Sequence, residues 1–341
     1  MEKHKNATKQ DTAQLLPLLK KEKLKKSYIF QDAQTDDAKL VLSLLRNSVE
    51  INKATAINYM EITNIDKQDR FYLILLKDKI EEKNYMIRVK KIVAATGVHN
   101  LPKGYTEKSS IIKYSGGAHI VLEGDPLKIK SKGVLLPKTE DDRVMFILPW
   151  LGNTIVGTTD TEKFSGSLDN PCANEKDIEY LKHHVKKYFN VSEVEHISSW
   201  SGIRALIDDS STSTKNISRE HFLNKIDTDF IQIAGGKLTG FRIIAKESLE
   251  AIYPKSFSLS KLCFVDEIMN IGNKYNKNDL NECIEHYCVA KPIDYMLRRT
   301  HLSWFQKEGG EAELDKIINN FDIPDIKQET IEELRRESLT S

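Results

Sequence analysis

Two arginines, one histidine and one glycine-glycine-lysine turn carry most of the chemistry this chain offers. Trp200-Ser201-Gly202-Ile203-Arg204 sets an arginine just after a glycine, and Ser218-Arg219-Glu220-His221 gives a second a short distance on. Guanidinium groups bind phosphate or carboxylate bidentately, so the pair suits an anionic ligand. The same spacing also fits two surface arginines with local acidic partners such as Glu220. His119 lies in Ser115-Gly116-Gly117-Ala118-His119-Ile120-Val121, at the start of a strand-like run. An imidazole there is either a structural group held by a backbone hydrogen bond or a general base. Gly235-Gly236-Lys237-Leu238-Thr239 follows an apolar run and opens a helical one. Backbone N–H groups and the positive helix end then face a ligand, though a plain strand-to-helix connection has the same pattern. It is no triphosphate loop, because Ile231 stands where the first glycine is needed and Leu238 follows the lysine.

Other clusters carry less. Cys283-Ile284-Glu285-His286-Tyr287-Cys288 looks like a metal set, but on a helix Cys288 points away from Cys283 and His286. Two buried thiols in a helix are the expectation, with no metal site. His183 and His184 are adjacent and face different sides of their helix. Gly157-Thr158-Thr159-Asp160-Thr161 reads as a turn dense in side-chain-to-backbone bonds.

These residues sit in a chain of 341, with 40% hydrophobic and 30% charged residues, which is a globular composition with room for more than one domain. A net charge of +1 gives no case for nucleic-acid binding. The four cysteines are too scattered for a disulfide framework, so a reducing cytoplasm is expected. No signal peptide or spanning run is visible, and a peripheral membrane contact stays open. All 16 glycines fall at residue 97 or later, which excludes a glycine-rich phosphate loop from the first third.

The positioning elements follow from periodicity. Residues 1–27 read as a short helix and a loop, and 36–49 as a helix capped by Thr35 or Asp36. Strands are expected at 54–59, 71–76, 85–89 and 91–97, with 71–76 and 85–89 forming a hairpin. Short strands follow at 118–122, 144–148 and 154–157. A helix capped by Asn174 carries Ile178, Leu181, Val185 and Phe189 on one face. A strand at 230–234 runs through Gly235-Gly236 into a helix at 239–252. Helices at 279–289, 293–306, 311–320 and 328–338 end the chain.

Together and in this order the segments resemble the FAD-dependent glycerol-3-phosphate dehydrogenases and their oxidase relatives. The likeness rests on Gln31-x-x-Gln34-x-Asp36-Asp37-Ala38, Ala95-Thr96-Gly97, Gly116-x-x-His119-Ile120-Val121 and Arg143-Val144-x-Phe146-x-x-Pro149-Trp150. It continues through Gly157-Thr158-Thr159-Asp160-Thr161, Trp200-Ser201-Gly202-Ile203-Arg204, Ser218-Arg219-x-His221, Gly235-Gly236-Lys237-Leu238-Thr239 and Leu297-Arg298-Arg299-Thr300. The resemblance implies oxidation of sn-glycerol 3-phosphate to dihydroxyacetone phosphate, with FAD as cofactor and a quinone or oxygen as final acceptor. It implies that Arg204 and Arg219 hold the phosphate, that His119 lies by the reacting hydroxyl, and that Lys237 lies near flavin and substrate. Thr96, Gly97, Gly202, Gly236, Lys237, Leu238 and Thr239 would line the flavin.

The implied fold is α/β with α+β character. An incomplete FAD/NAD(P)-binding, Rossmann-like domain spans 28–108 and 200–252 after an N-terminal helix and linker at 1–27. An antiparallel substrate domain spans 109–199, and a helical domain 262–341. The family opens with a strand and a G-x-G-x-x-G turn for the FAD pyrophosphate. No such turn occurs in this sequence, so the expectation is a flavoenzyme lacking its first βαβ unit. Val98-His99 also replaces the family's Pro-Trp beside the flavin. A non-catalytic module that binds a phosphorylated polyol, or another flavin-dependent oxidase of the same superfamily, is the alternative. A homodimer and a place on the inner face of a membrane stay open.

Overall fold

The computed structural model describes residues 4–102, 105, 112–136, 139, 143–162, 167–207, 221–259, 271, 274–321, 323 and 326–338. Strand β1 (Lys5–Ala7) leads into helix α1 (Lys9–Leu15), and β2 (Ser27–Ile29) returns to pair with β1. Helix α2 (Asp37–Asn52) starts at Asp36, whose Oδ1 accepts the Lys39 N–H at 3.0 Å. Of the two expected caps, Asp36 is the one used.

Strands β3 (Met60–Lys67), β4 (Tyr72–Asp78) and β5 (Asn84–Val89) form an antiparallel meander, and the expected hairpin is its second half. The strand expected at 54–59 is absent and pairing begins at Met60. Tertiary contacts override propensity there. The Asn58 amide donates to the Cys288 carbonyl, and the Tyr59 hydroxyl donates to Asp294 at 2.8 Å. Strand β6 (Ile92–Ala94) ends the segment.

The largest sheet follows. It contains β7 (Ile112–Leu122), β8 (Val134–Leu136), β9 (Met145–Trp150), β10 (Asn153–Gly157) and β11 (Thr161–Glu162). Helix α3 (Glu175–Tyr188) covers one face, and β12 (Ser198–Ile207) then pairs with β7 along all ten of its residues. β12 therefore straddles the expected boundary at residue 200 and belongs by pairing to this sheet. Alternation sends Ala118, Ile120, Leu122, Met145, Ile147 and Val156 toward α3. They meet Ile178, Leu181, Val185 and Phe189, the face expected from the sequence, with Asn174 accepting the Asp177 N–H as cap. Leu181 is 0% exposed, so Leu181→Ala is expected to cost about 2–5 kcal/mol in a urea melt.

Strand β13 (His221–Asp227) and β14 (Phe230–Gly235) form a hairpin, and helix α4 (Phe241–Ile252) follows a short 3₁₀ turn at Leu238–Gly240. β14 runs parallel to β6, the one parallel pairing among the described residues. The tail holds α5 (Lys277–His286), a π-turn over Asp294–Arg299, α6 (Leu302–Phe305), α7 (Glu311–Ile318) and α8 (Ile326–Ser338). The single helix expected over 293–306 is broken at His301, which has φ 56°. Only one of the two expected helical thiols lies in α5. Cys283 is buried there, whereas Cys288 lies past its end and is half-buried. Helix α2 docks on this tail. Leu42 packs against its core, and Arg46 donates to the Tyr287 hydroxyl at 2.8 Å.

The overall architecture is a mixed α/β fold with antiparallel sheets and packed helices, as the sequence implies.

Candidate functional site

The face of the large sheet turned away from α3 carries the candidate residues His119 and Arg204. On β7 it displays Ser115, Gly117 and His119. Directly opposite on β12 stand Arg204, Gly202 and Trp200, in that order. Cross-strand partners share a face, so the register alone brings His119 and Arg204 onto one surface.

Two glycines make room for them. A methyl group on Gly117 would sit 2.6 Å from Arg204 Nη2 and 2.8 Å from Nη1, so the guanidinium lies across Gly117. A methyl group on Gly157 would sit 2.0 Å from His119 Cδ2, so the imidazole lies across Gly157. Arg204 Nη2 donates to the Thr158 hydroxyl at 3.1 Å, and Nη1 donates to the Gly116 carbonyl at 3.3 Å. Asp160 lies 3.7 Å from Nη1 and also accepts from the Ser115 hydroxyl. The hydroxyl-rich turn at 157–161 is therefore the bracket of this arginine, and not an isolated turn. Arg204 keeps 34% of its side chain exposed, which leaves the guanidinium reachable.

His119 Nδ1 is buried and has no hydrogen-bond partner. Burial first, and then the Arg204 charge, push this imidazole down to about 4. It is neutral at ordinary pH and able to accept a proton. Its ring stacks on Trp200 at 5.2 Å between centroids.

A cavity of about 390 Å³ opens on the same face. Phe146, Leu148 and Ile155 line it from the sheet, and Trp304, Phe305 and His301 line it from the tail. The segment Gln34–Asp37 closes one side. Sequence reasoning missed His301, Trp304 and Phe305. Their signal was an aromatic pair in a helical run, which does not by itself separate a site wall from a core.

The remaining candidates occupy another edge. Ala95-Thr96-Gly97 leaves β6, and Gly235-Gly236 leaves the parallel β14 beside it. Ligands of open α/β sheets bind at such carboxyl ends. Gly97, Gly235 and Gly236 have φ of 59°, 68° and 87°. A methyl group on Gly97 would meet nothing within 4 Å, so a flat ligand can approach the backbone there, and the same holds for Gly202 on the β12 face beside Arg204. Lys237, Leu238 and Thr239 are exposed at the same turn. The Thr96 hydroxyl donates to the His99 carbonyl at 2.7 Å and shapes its own turn. Arg219 lies outside the described residues. Leu297-Arg298-Arg299-Thr300 is structural in part, because buried Arg299 donates to the Tyr287 and Cys288 carbonyls. No group of three potential metal ligands occurs among the described residues, and none of their helices is long and apolar enough to cross a membrane.

No family model matches the chain. It is 32% identical over 311 residues to the mitochondrial glycerol-3-phosphate dehydrogenase of Schizosaccharomyces pombe, covering 83% of this chain and 48% of that protein. It is 34% identical over 252 residues to the mitochondrial glycerol-3-phosphate dehydrogenase of Bos taurus, covering 69% of this chain and 34% of that one. The chain thus spans about half the length, or less, of these relatives. Two solved structures share its fold. The glycerol-3-phosphate dehydrogenase of Bacillus halodurans, complexed with FAD, gives a TM-score of 0.71 at 22% identity, covering 97% of this chain and 79% of that one. The FAD-bound L-α-glycerophosphate oxidase of Mycoplasma pneumoniae gives 0.51 at 19% identity, covering 76% and 69%.

Proposed function

We propose that this chain, which belongs to the glycerol-3-phosphate dehydrogenase family over the part of those proteins it spans, holds glycerol 3-phosphate on the Arg204–His119 face for flavin-dependent oxidation. The observation that carries this reading is a reachable guanidinium laid across Gly117, next to an imidazole with an unpaired buried nitrogen. Arg204 takes the phosphate by charge-assisted hydrogen bonds, and Arg219 is assigned to the same group. His119 accepts the proton of the reacting hydroxyl or orients it. Lys237 stabilises negative charge developing beside it. FAD, held at the strand-end turns, would supply the acceptor for the hydride that leaves the second carbon of the substrate. Proton and hydride together leave a ketone, dihydroxyacetone phosphate. Thr96, Gly97, Gly202, Gly236, Leu238 and Thr239 are assigned to the flavin edge. A quinone or oxygen is the final acceptor class in this reading, and a peripheral membrane contact and a homodimer are part of it.

The sequence supplies no G-x-G-x-x-G turn, so the chain alone is expected to hold FAD weakly. Purified chain should give measurable heat with glycerol 3-phosphate in calorimetry and carry no stoichiometric flavin absorbance. Undetectable heat at millimolar ligand would sink the substrate assignment. A yellow preparation near one flavin per chain would overturn the weak-cofactor expectation.

Gly117 offers a local check. Its φ does not demand glycine, but an added methyl group would sit 2.6 Å from both Arg204 Nη2 and the hydroxyl of the short, β-branched Thr158. Gly117→Ala is therefore expected to displace the guanidinium and the Thr158 hydroxyl, with a modest fall in the urea midpoint. Affinity for glycerol 3-phosphate should fall about tenfold, the equivalent of roughly one charge-assisted hydrogen bond.

A further inference from the structure

Four rings stand in a row along the wall of the cavity. His119 stacks on Trp200 with 11° between planes, Trp200 on Trp304 with 21°, and Trp304 on His301 with 5°. Centroid separations are 5.2, 5.1 and 5.8 Å. The row starts at the candidate proton acceptor and ends in the helical tail.

Its far end is pinned. His301 Nδ1 is hydrogen-bonded to the Leu297 carbonyl at 2.8 Å, and Nε2 to Asp36 Oδ2 at 2.7 Å. Each ring nitrogen has its own partner, so the ring cannot flip without losing a bond. His301 is 7% exposed and holds a left-handed backbone, a conformation that persists only where surroundings enforce it. The Trp304 and Phe305 N–H groups return to the His301 carbonyl at 3.1 and 3.2 Å. The Ser198 hydroxyl donates to the Trp304 carbonyl at 2.5 Å, from the strand that carries Trp200. Asp36 is fixed in turn as the cap of α2.

We propose that Asp36 and His301 are positioning residues of the site: by locking His301 they fix Trp304 and Trp200, and through them the plane of the His119 ring. The consequence for substrate rests on the function proposed above; the geometry does not. Such a pair transmits the docking of α2 on the tail into the orientation of the His119 ring. A side chain that only stapled two elements together would leave His119 untouched.

The test reads the His119 imidazole resonances of the full chain by NMR, where the Trp200 ring current marks the stack, alongside calorimetry with glycerol 3-phosphate. His301→Leu should abolish the ring-current shift and weaken binding about tenfold. His301→Arg, a planar cation able to donate to Asp36 and to stack on Trp304, should largely restore both. Asp36→Asn keeps a good helix cap, and should broaden or move the His119 signals without unfolding the protein. A folded His301→Leu with unchanged His119 resonances overturns the proposal. If His301→Leu does not fold, unchanged resonances in Asp36→Asn do the same. If the unsubstituted chain gives no heat with glycerol 3-phosphate, the functional reading fails, and the resonances still decide the positioning role.

Discussion

Replacing Arg204 by alanine should abolish detectable binding of glycerol 3-phosphate. Two charge-assisted hydrogen bonds from one guanidinium to a phosphate contribute about 1.5–3 kcal/mol each. Their loss corresponds to an affinity drop of roughly 100-fold or more. Part of the gross interaction is already offset, because Arg204 leans on Asp160 at 3.7 Å and donates to Thr158 and Gly116. A bound phosphate must share the guanidinium with these groups, so the net loss lies at the lower end. Arg204→Lys separates charge from shape. An ammonium keeps the positive charge but cannot reach the Thr158 hydroxyl and the Gly116 carbonyl while presenting a fork to the ligand. An intermediate loss, between tenfold and that of alanine, is expected. Calorimetry on the full chain measures all three. Equal binding by Arg204→Ala and the unsubstituted chain would remove Arg204 from the site.

How much of this was legible in the sequence depends on the range of the signal. The α3 face was readable because Ile178, Leu181, Val185 and Phe189 repeat at helical spacing and are buried on one side. His119 and Arg204 were readable as chemistry-bearing types, and the resemblance set both on one substrate, but the geometry that pairs them was not readable. It depends on a register between strands some eighty residues apart, Trp200 opposite His119. The clearance at Gly117 and Gly157 was likewise invisible, because a glycine that makes room for a distant side chain looks like one that makes a turn. The strand expected at 54–59 failed for a related reason. Local propensity favoured extension, and ties from Asn58 and Tyr59 to the tail decided otherwise. His301 and Trp304 were overlooked because residues 293–306 read as one helix, and the break at His301 is what turns them into the cavity.

The second large effect concerns the proton on His119. In the folded chain the imidazole is pushed from 6.5 down to about 4, by burial and then by Arg204. The unfolded chain therefore binds more protons than the folded one between those two values. Stability is full above pH 6.5, falls as pH drops through the window, and levels off below about 4. A shift of this size corresponds to at most about 3 kcal/mol, at roughly 1.4 kcal/mol per pKa unit. His119→Asn removes the titration, so its urea midpoint should decline less steeply than that of the unsubstituted chain over the same window. Direct observation of the ring by NMR should find it neutral at pH 6. Two further shifts separate the causes. Arg204→Ala removes the charge and leaves the burial, so the midpoint should rise part of the way toward the ordinary value. Glycerol 3-phosphate should act in the same direction, because a phosphate dianion on Arg204 cancels the charge that opposes the imidazolium. In the proposed function, a bound phosphate then raises the basicity of His119, and the free protein keeps the ring unprotonated. A His119 that titrates near 6.5 in the folded chain, indifferent to Arg204 and to the ligand, would break this link between the two residues.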